Sequence, residues 1–191
     1  MLRCLVLATA LICSGCAVRD AAGSLGRTFS MVPTTTTTFS DEETMKSPQP
    51  VFIYAEPDQG NDMAFQAYRQ MVSQHMEDHG YHVVEDVSDA KLSIVMSYGA
   101  GSPRTHVSGS NGVVSSSDVY TRFFRITFID NNETIATEDI VRVYQSDVTS
   151  SGDNSSFHAV SECLINAAFR KFPDKDGAVR RKTYSALGCV Q

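Results

Sequence analysis

Residues 119–147 constrain this chain more than any other stretch. In "VYTRFFRITFID" the bulky residues Phe124, Ile126 and Phe128 alternate with Arg125 and Thr127, the period-two pattern of a strand with one buried face. The polar "NNE" follows, then "TIATEDIVRVYQSD". Two long β-capable runs joined by a short polar turn predict an antiparallel hairpin. Such a hairpin needs other elements to cover Phe124, Ile126 and Phe128, because one apolar sheet face cannot be left in water.

The chain supplies those elements on both sides. Val51 to Tyr54 form a continuous apolar run closed by Pro57, as in a buried strand. "NDMAFQAYRQMVSQHMEDHGY" reads as a helix capped by Asn61 or Asp62 and stopped at Gly80. Its Ala64, Phe65, Tyr68, Met71, Val72 and Met76 share one side at helical spacing. "YHVVEDV" and "KLSIVMSYG" read as strands, the second with Leu92, Ile94, Met96 and Tyr98 on one face. After the hairpin, "SSFHAVSECLINAAFRKFP" reads as a helix capped by Ser155 or Ser156 and ended before Pro173. The predicted order is β-α-β-β-β-β-α. It implies an α+β fold with a mainly antiparallel sheet of about five strands and two helices packed on one face.

The N-terminus bears on compartment. Leu5 to Ile12 is apolar, Arg3 precedes it, and "LICSGC" closes it with Ser14, Gly15 and Cys16. The run is too short to span a bilayer, which takes ~20 apolar residues, and it has the layout of a secretory signal. The stretch resembles a bacterial lipobox, with Cys13 where that pattern usually has Leu. The resemblance implies that residues 1–15 are removed and that Cys16 carries a diacylglycerol and an N-acyl group. Ala17, rather than Asp, implies by the same resemblance an outer-membrane lipoprotein facing the periplasm. If Cys16 carries no lipid, the alternative is a secreted structural component.

Residues 16–49 are rich in Thr, Ser and Pro, and "TTTTT" spans Thr34 to Thr38. Low hydrophobicity suits a tether; the preference of Thr for β structure leaves an edge strand near Thr36 open. Residues 50–173 then form the globular domain, and residues 174–191 a polar tail. Of five cysteines, Cys163 and Cys189 remain once Cys4 and Cys13 leave with the signal and Cys16 is acylated. An even pair in an oxidising compartment predicts a disulfide.

"HMEDHGYHVVEDVSDAKLSIVMSYG" and "INAAFRKFP", with Gly80-Tyr81, Asp89 and Phe172-Pro173, resemble the DUF4136 family of bacterial envelope lipoproteins over about residues 50–173. The resemblance implies an envelope-anchored α+β domain without established catalytic residues.

For chemistry, His75 and His79 lie one helical turn apart and His82 follows the stop glycine. Imidazoles at that spacing can share an open metal site, which makes a metal-binding envelope protein the alternative function. The same wheel puts His75 and His79 beside Phe65, Tyr68 and Val72, where helix-end histidines are half-buried, so no metal is favoured. No G-x-S-x-G elbow or phosphate-binding G-x-x-x-x-G-K occurs. Catalytic residues and cofactors are expected to be none. A formal charge of -6 argues against nucleic acid as a partner. The Gly/Ser-rich stretch Gly99 to Asp118 reads as a long loop with Arg104 and His106 as its titratable groups, and such a loop either binds a partner or is disordered. The expected function is a non-enzymatic binding or assembly module. It reaches the membrane through its lipid and contacts an envelope protein or the cell wall through an exposed sheet edge or this loop, with strand addition as one mode.

Overall fold

A computed structural model describes residues 31–191 apart from 56–58, 61, 111–112, 186–188 and 190–191. Eight strands and three helices run in the order β1 Met31–Ser40, β2 Pro50–Tyr54, α1 Met63–Asp78, β3 His82–Val83, β4 Leu92–Ala100, β5 Arg104–Ser110, β6 Val113–Asp130, α2 Asn131–Thr137, β7 Arg142–Gly152, α3 Ser161–Phe169 and β8 Val179–Ser185. The strands lie side by side as β3-β2-β4-β6-β7-β1-β8, with β5 paired to β6 off this path. The apolar run Leu5 to Ile12, expected to be a signal, and Cys16 lie outside the described residues.

The α+β class holds, but the sheet has eight strands rather than about five, and it is mixed. β2 pairs in parallel with both β3 and β4, Val51 opposite Leu92 and Ile53 opposite Ile94. Helix α1 is the reason: crossing between β2 and β4, it returns the chain in the same direction, as a parallel crossover requires. The ladders β4–β6, β6–β7, β7–β1, β1–β8 and β5–β6 are antiparallel.

One sheet face is covered. Val51, Ile53, Leu92, Ile94, Met96, Phe124, Ile126 and Phe128 are buried there against Phe65, Tyr68, Val72 and Met76 of α1 and Leu164, Ala168 and Phe169 of α3. The three hairpin residues expected to face the core do so, and each buried side chain contributes about 1.5–3 kcal/mol. Helix α1 begins as the sequence indicates, with the Asp62 carboxylate accepting from Ala64 N at 2.9 Å. It ends at Gly80 with φ +83°, a conformation that costs other residues more.

Five local expectations need correction. The tether contains β1, which lies inside the sheet between β7 and β8, its Val32, Thr34, Thr36 and Thr38 buried. The polar tail contains β8, which forms the outer strand beside β1. The domain therefore reaches beyond residues 50–173 at both ends. In the hairpin, "TIATED" is not strand: Asp130 caps α2 by accepting from Glu133 N at 2.9 Å, and Glu138 ends it at φ 60°. The strand expected over "YHVVEDV" is only β3, because Asp86 caps a 3-10 turn over Val87–Asp89. The last helix is likewise shorter than expected, with a 3-10 turn at His158–Val160 ahead of α3.

Candidate functional site

Gly99 to Asp118, expected as a loop, is mostly a two-stranded ribbon. β5 pairs with the first part of β6, Arg104 opposite Val119, His106 opposite Ser117 and Val107 opposite Ser116. The sheet proper stops short of it: β4 meets β6 only as far as Ala100 opposite Arg122, and β7 only as far as Tyr120 opposite Gly152. Val114 to Val119 therefore have β5 as their pairing partner among the described residues. Alternate Ser, Thr and Val suit a pleated backbone, and cross-strand hydroxyl bonds support the register. Thr105 Oγ1 donates to Asp118 Oδ1 at 2.9 Å, and the Ser108 and Ser115 hydroxyls are 2.9 Å apart. Both faces are open to water, and on one of them Val107 is 63% and Val114 74% exposed. Arg104 and His106, expected as partner-binding residues, stand exposed on this arm.

The root of the ribbon is rigid. Gly101 N donates to Thr121 O at 2.8 Å. Beside it Arg122 is 3% exposed, donating from Nη1 to Asn154 O at 2.9 Å and from Nη2 to Ser150 Oγ at 3.1 Å, while Nε has no partner. Burial lowers its pKa and the nearby Asp153 carboxylate opposes that shift. Gly152 makes room for it: a Cβ there would sit 2.8 Å from Nη2.

The three histidines do not converge as a metal site. His75 stacks on Phe169 with centroids 4.7 Å apart, and its Nε2 is 2.8 Å from Asn166 Oδ1. The Asn166 amide already gives an N–H to Cys189 O at 2.7 Å, so its oxygen faces His75 and the His75 Nε2 carries the proton. His79 spends Nδ1 on the His75 carbonyl at 2.7 Å and meets Phe172 edge-on at 5.4 Å. His82 lies exposed on β3 opposite Pro50. Among the described residues no group of three His, Cys, Asp or Glu side chains is placed to hold a metal ion. His158, one helical stretch away, shares a 3.2 Å hydrogen bond with the Tyr68 hydroxyl.

Cys163 and Cys189 lie at disulfide distance, with Cα atoms 4.9 Å apart. They fasten the end of the chain to α3 beside a groove of about 450 Å³ lined by Tyr68, Met71, His158, Glu162 and both cysteines. Sequence reasoning singled out these cysteines and the arm but missed Arg122. The signal for Arg122 was an arginine at the core-facing position two before Phe124.

This geometry defines a mixed α+β domain with helices on one sheet face and a protruding β arm. No protein-family model and no curated protein matches the sequence. Solved structures similar to it include a PDZ domain protein from Parabacteroides distasonis, 13% identical, TM-score 0.51, covering 81% of this chain and 38% of that one. The chain thus spans well under half the length of that protein, and the likeness is one of fold. A DUF4136 family protein from Bacteroides thetaiotaomicron is 14% identical, with TM-score 0.42 over 71% of this chain and 91% of that one. A PelC dodecamer from Paraburkholderia phytofirmans is 13% identical, with TM-score 0.41 over 71% of this chain and 93% of that one.

Proposed function

We propose that the protein is a non-enzymatic binding or assembly module of the bacterial cell envelope, held at the outer membrane by acylation of Cys16 and facing the periplasm. The observation that carries the binding role is the β5–β6 arm. An isolated two-stranded ribbon is at best marginally stable in water, and this one offers a β5 edge unpaired among the described residues, with exposed Val107 and Val114 beside it. A partner that adds a strand to that edge satisfies the ribbon's open backbone groups and gains the valine contacts, the β-augmentation mode. Arg104 and His106 then select among partners by charge. The anchoring role rests on the "LICSGC" stretch and its apolar run.

Photo-crosslinking residues introduced singly at positions 104, 106 and 107 test the arm in cells. A discrete adduct from these positions, absent from a position on α2, is expected; capture from none of them overturns the arm as the binding site. The intact mass of protein purified from membranes tests the anchor. A mass starting at Cys16 with the expected acyl groups is the predicted result, and an unacylated mass cut elsewhere makes the protein a secreted component instead.

A further inference from the structure

The chain is acidic overall, yet residues 170–182 hold six cations against the carboxylates of Asp174 and Asp176, a local net charge of +4 on a protein of formal charge -6. The fold gathers them on one rim. Strand β8 is the outermost strand, and the register places Arg180 opposite Thr36 and Lys182 opposite Thr34 on the helix-covered side, with Arg181 opposite Thr35 on the other. Arg170 and Lys171 extend from the end of α3 to the same rim, and all five of these side chains are exposed. Arg180 is paired with Asp174, and Lys182 lies over the Tyr184 ring with Nζ 4.5 Å from its centroid.

Cations on an edge strand also deter sheet-to-sheet aggregation. That duty does not account for Arg170 and Lys171, which are not on the strand. Arg170, Lys171, Arg180 and Lys182 do line one groove, but it is too small to hold an anion. The groove between β8 and α3, lined by Thr34, Thr36, Arg170, Arg180 and Lys182, has room of only about 10 Å³, enough for at most one water. A discrete phosphate has nowhere to sit, so the rim acts as a spread field, which matches a spread of negative charge.

We propose that this rim docks the domain on a bilayer surface carrying anionic lipid headgroups. The contact is electrostatic and does not depend on acylation of Cys16.

The test is flotation of the full chain carrying Cys16→Ala, which removes any acyl contribution, with vesicles of phosphatidylcholine alone or mixed with phosphatidylglycerol. Binding to the mixed vesicles only, lost as salt rises, is expected. The triple variant Lys171→Gln/Arg181→Gln/Lys182→Gln spares the Asp174–Arg180 pair, and each lost cation lowers the partition coefficient about fivefold, about a hundredfold together. A charge-matched control, Lys91→Gln/Arg125→Gln/Arg142→Gln, changes exposed cations away from both the rim and the arm and should bind almost as the parent does. Equal binding to both vesicle types, no binding, or equal loss in both triple variants overturns the proposal. So does displacement by inorganic phosphate beyond that caused by sodium chloride of equal ionic strength, which would mean a discrete anion site.

Discussion

His75 Nε2 donates to Asn166 Oδ1 across 2.8 Å, and the same Asn166 amide donates to the carbonyl of Cys189 at 2.7 Å. One side chain thereby ties α1, α3 and the end of the chain. Asn166→Ala leaves two half-buried groups unsatisfied and should lower the unfolding free energy by about 2 kcal/mol. Urea denaturation would measure it, and a loss near zero would mean that water replaces the amide without cost.

Cys163 and Cys189 close a loop with a sequence separation of 26. In the chain-entropy model the bridge contributes about 3 kcal/mol. Reduction, or the double variant Cys163→Ser/Cys189→Ser, should lower the melting temperature accordingly. Alkylation of both thiols in native protein without reductant would show that the pair is not bridged.

Gly152 and Arg122 should behave as a coupled pair. Gly152→Ala drives a methyl group into the guanidinium and is expected to cost about 1–3 kcal/mol, as overpacking does. In an Arg122→Met background, where the clash is gone, the same change should cost less than about 0.5 kcal/mol. Additive costs would show that Gly152 is needed for some other reason.

Tyr144 is 1% exposed and its hydroxyl has no hydrogen-bond partner, although the Thr38 and Ser146 hydroxyls lie close by. Burial pushes its pKa up to about 12. Because the folded value lies above the ordinary one near 10, the contribution is full below about pH 10 and is lost as pH rises through the folded value. Tyr144→Phe should change neutral-pH stability little and flatten this alkaline limb, measured as melting temperature against pH. An unchanged alkaline slope would assign the loss to other groups.

Glu138 adopts φ 60° at the end of α2, where a side chain costs about 1–2 kcal/mol. Glu138→Gly relieves that cost but adds chain entropy, so a net gain of about 0.5 kcal/mol is expected in thermal unfolding. A loss would show that the Glu138 side chain makes a contribution of its own.

Much of the fold was legible because its signals are local. Asp62 and Gly80 bracket α1 by cap and left-handed stop, and Leu92, Ile94 and Met96 alternate without interruption. β1 was only half legible, as an edge strand left open near Thr36 and not as a strand inside the sheet, since its buried positions are mostly threonines. Their methyl groups fill the face while a hydroxyl such as that of Thr34 is satisfied by the Lys182 carbonyl at 2.9 Å; hydropathy alone reads such a strand as a linker. β8, written "VRRKTYS", hides for the opposite reason: an outer strand tolerates charge. The turn "NNE" concealed α2, although Asp130 followed three residues later by Glu133 is a capping signature. The ribbon was hidden by its Ser and Gly content, which is as common in loops as in exposed strands. Arg104 and His106 stand out in the sequence as titratable groups among small residues, and the structure leaves both exposed; Arg122 was missed because its burial depends on Ser150 and Asn154, a strand away.

The placement of β1 has a consequence for the order in which the molecule is made. The first described strand pairs on both sides with late ones, Thr34 opposite Ser150 on β7 and Lys182 on β8, a separation of 148 residues for the latter. A chain delivered N-terminus first must hold β1 unpaired until nearly all of it has arrived. Closing the sheet then depends on distant contacts, which form slowly. Until then β1 is an exposed, strand-prone segment, so its threonines also keep a waiting chain soluble where valines would invite aggregation.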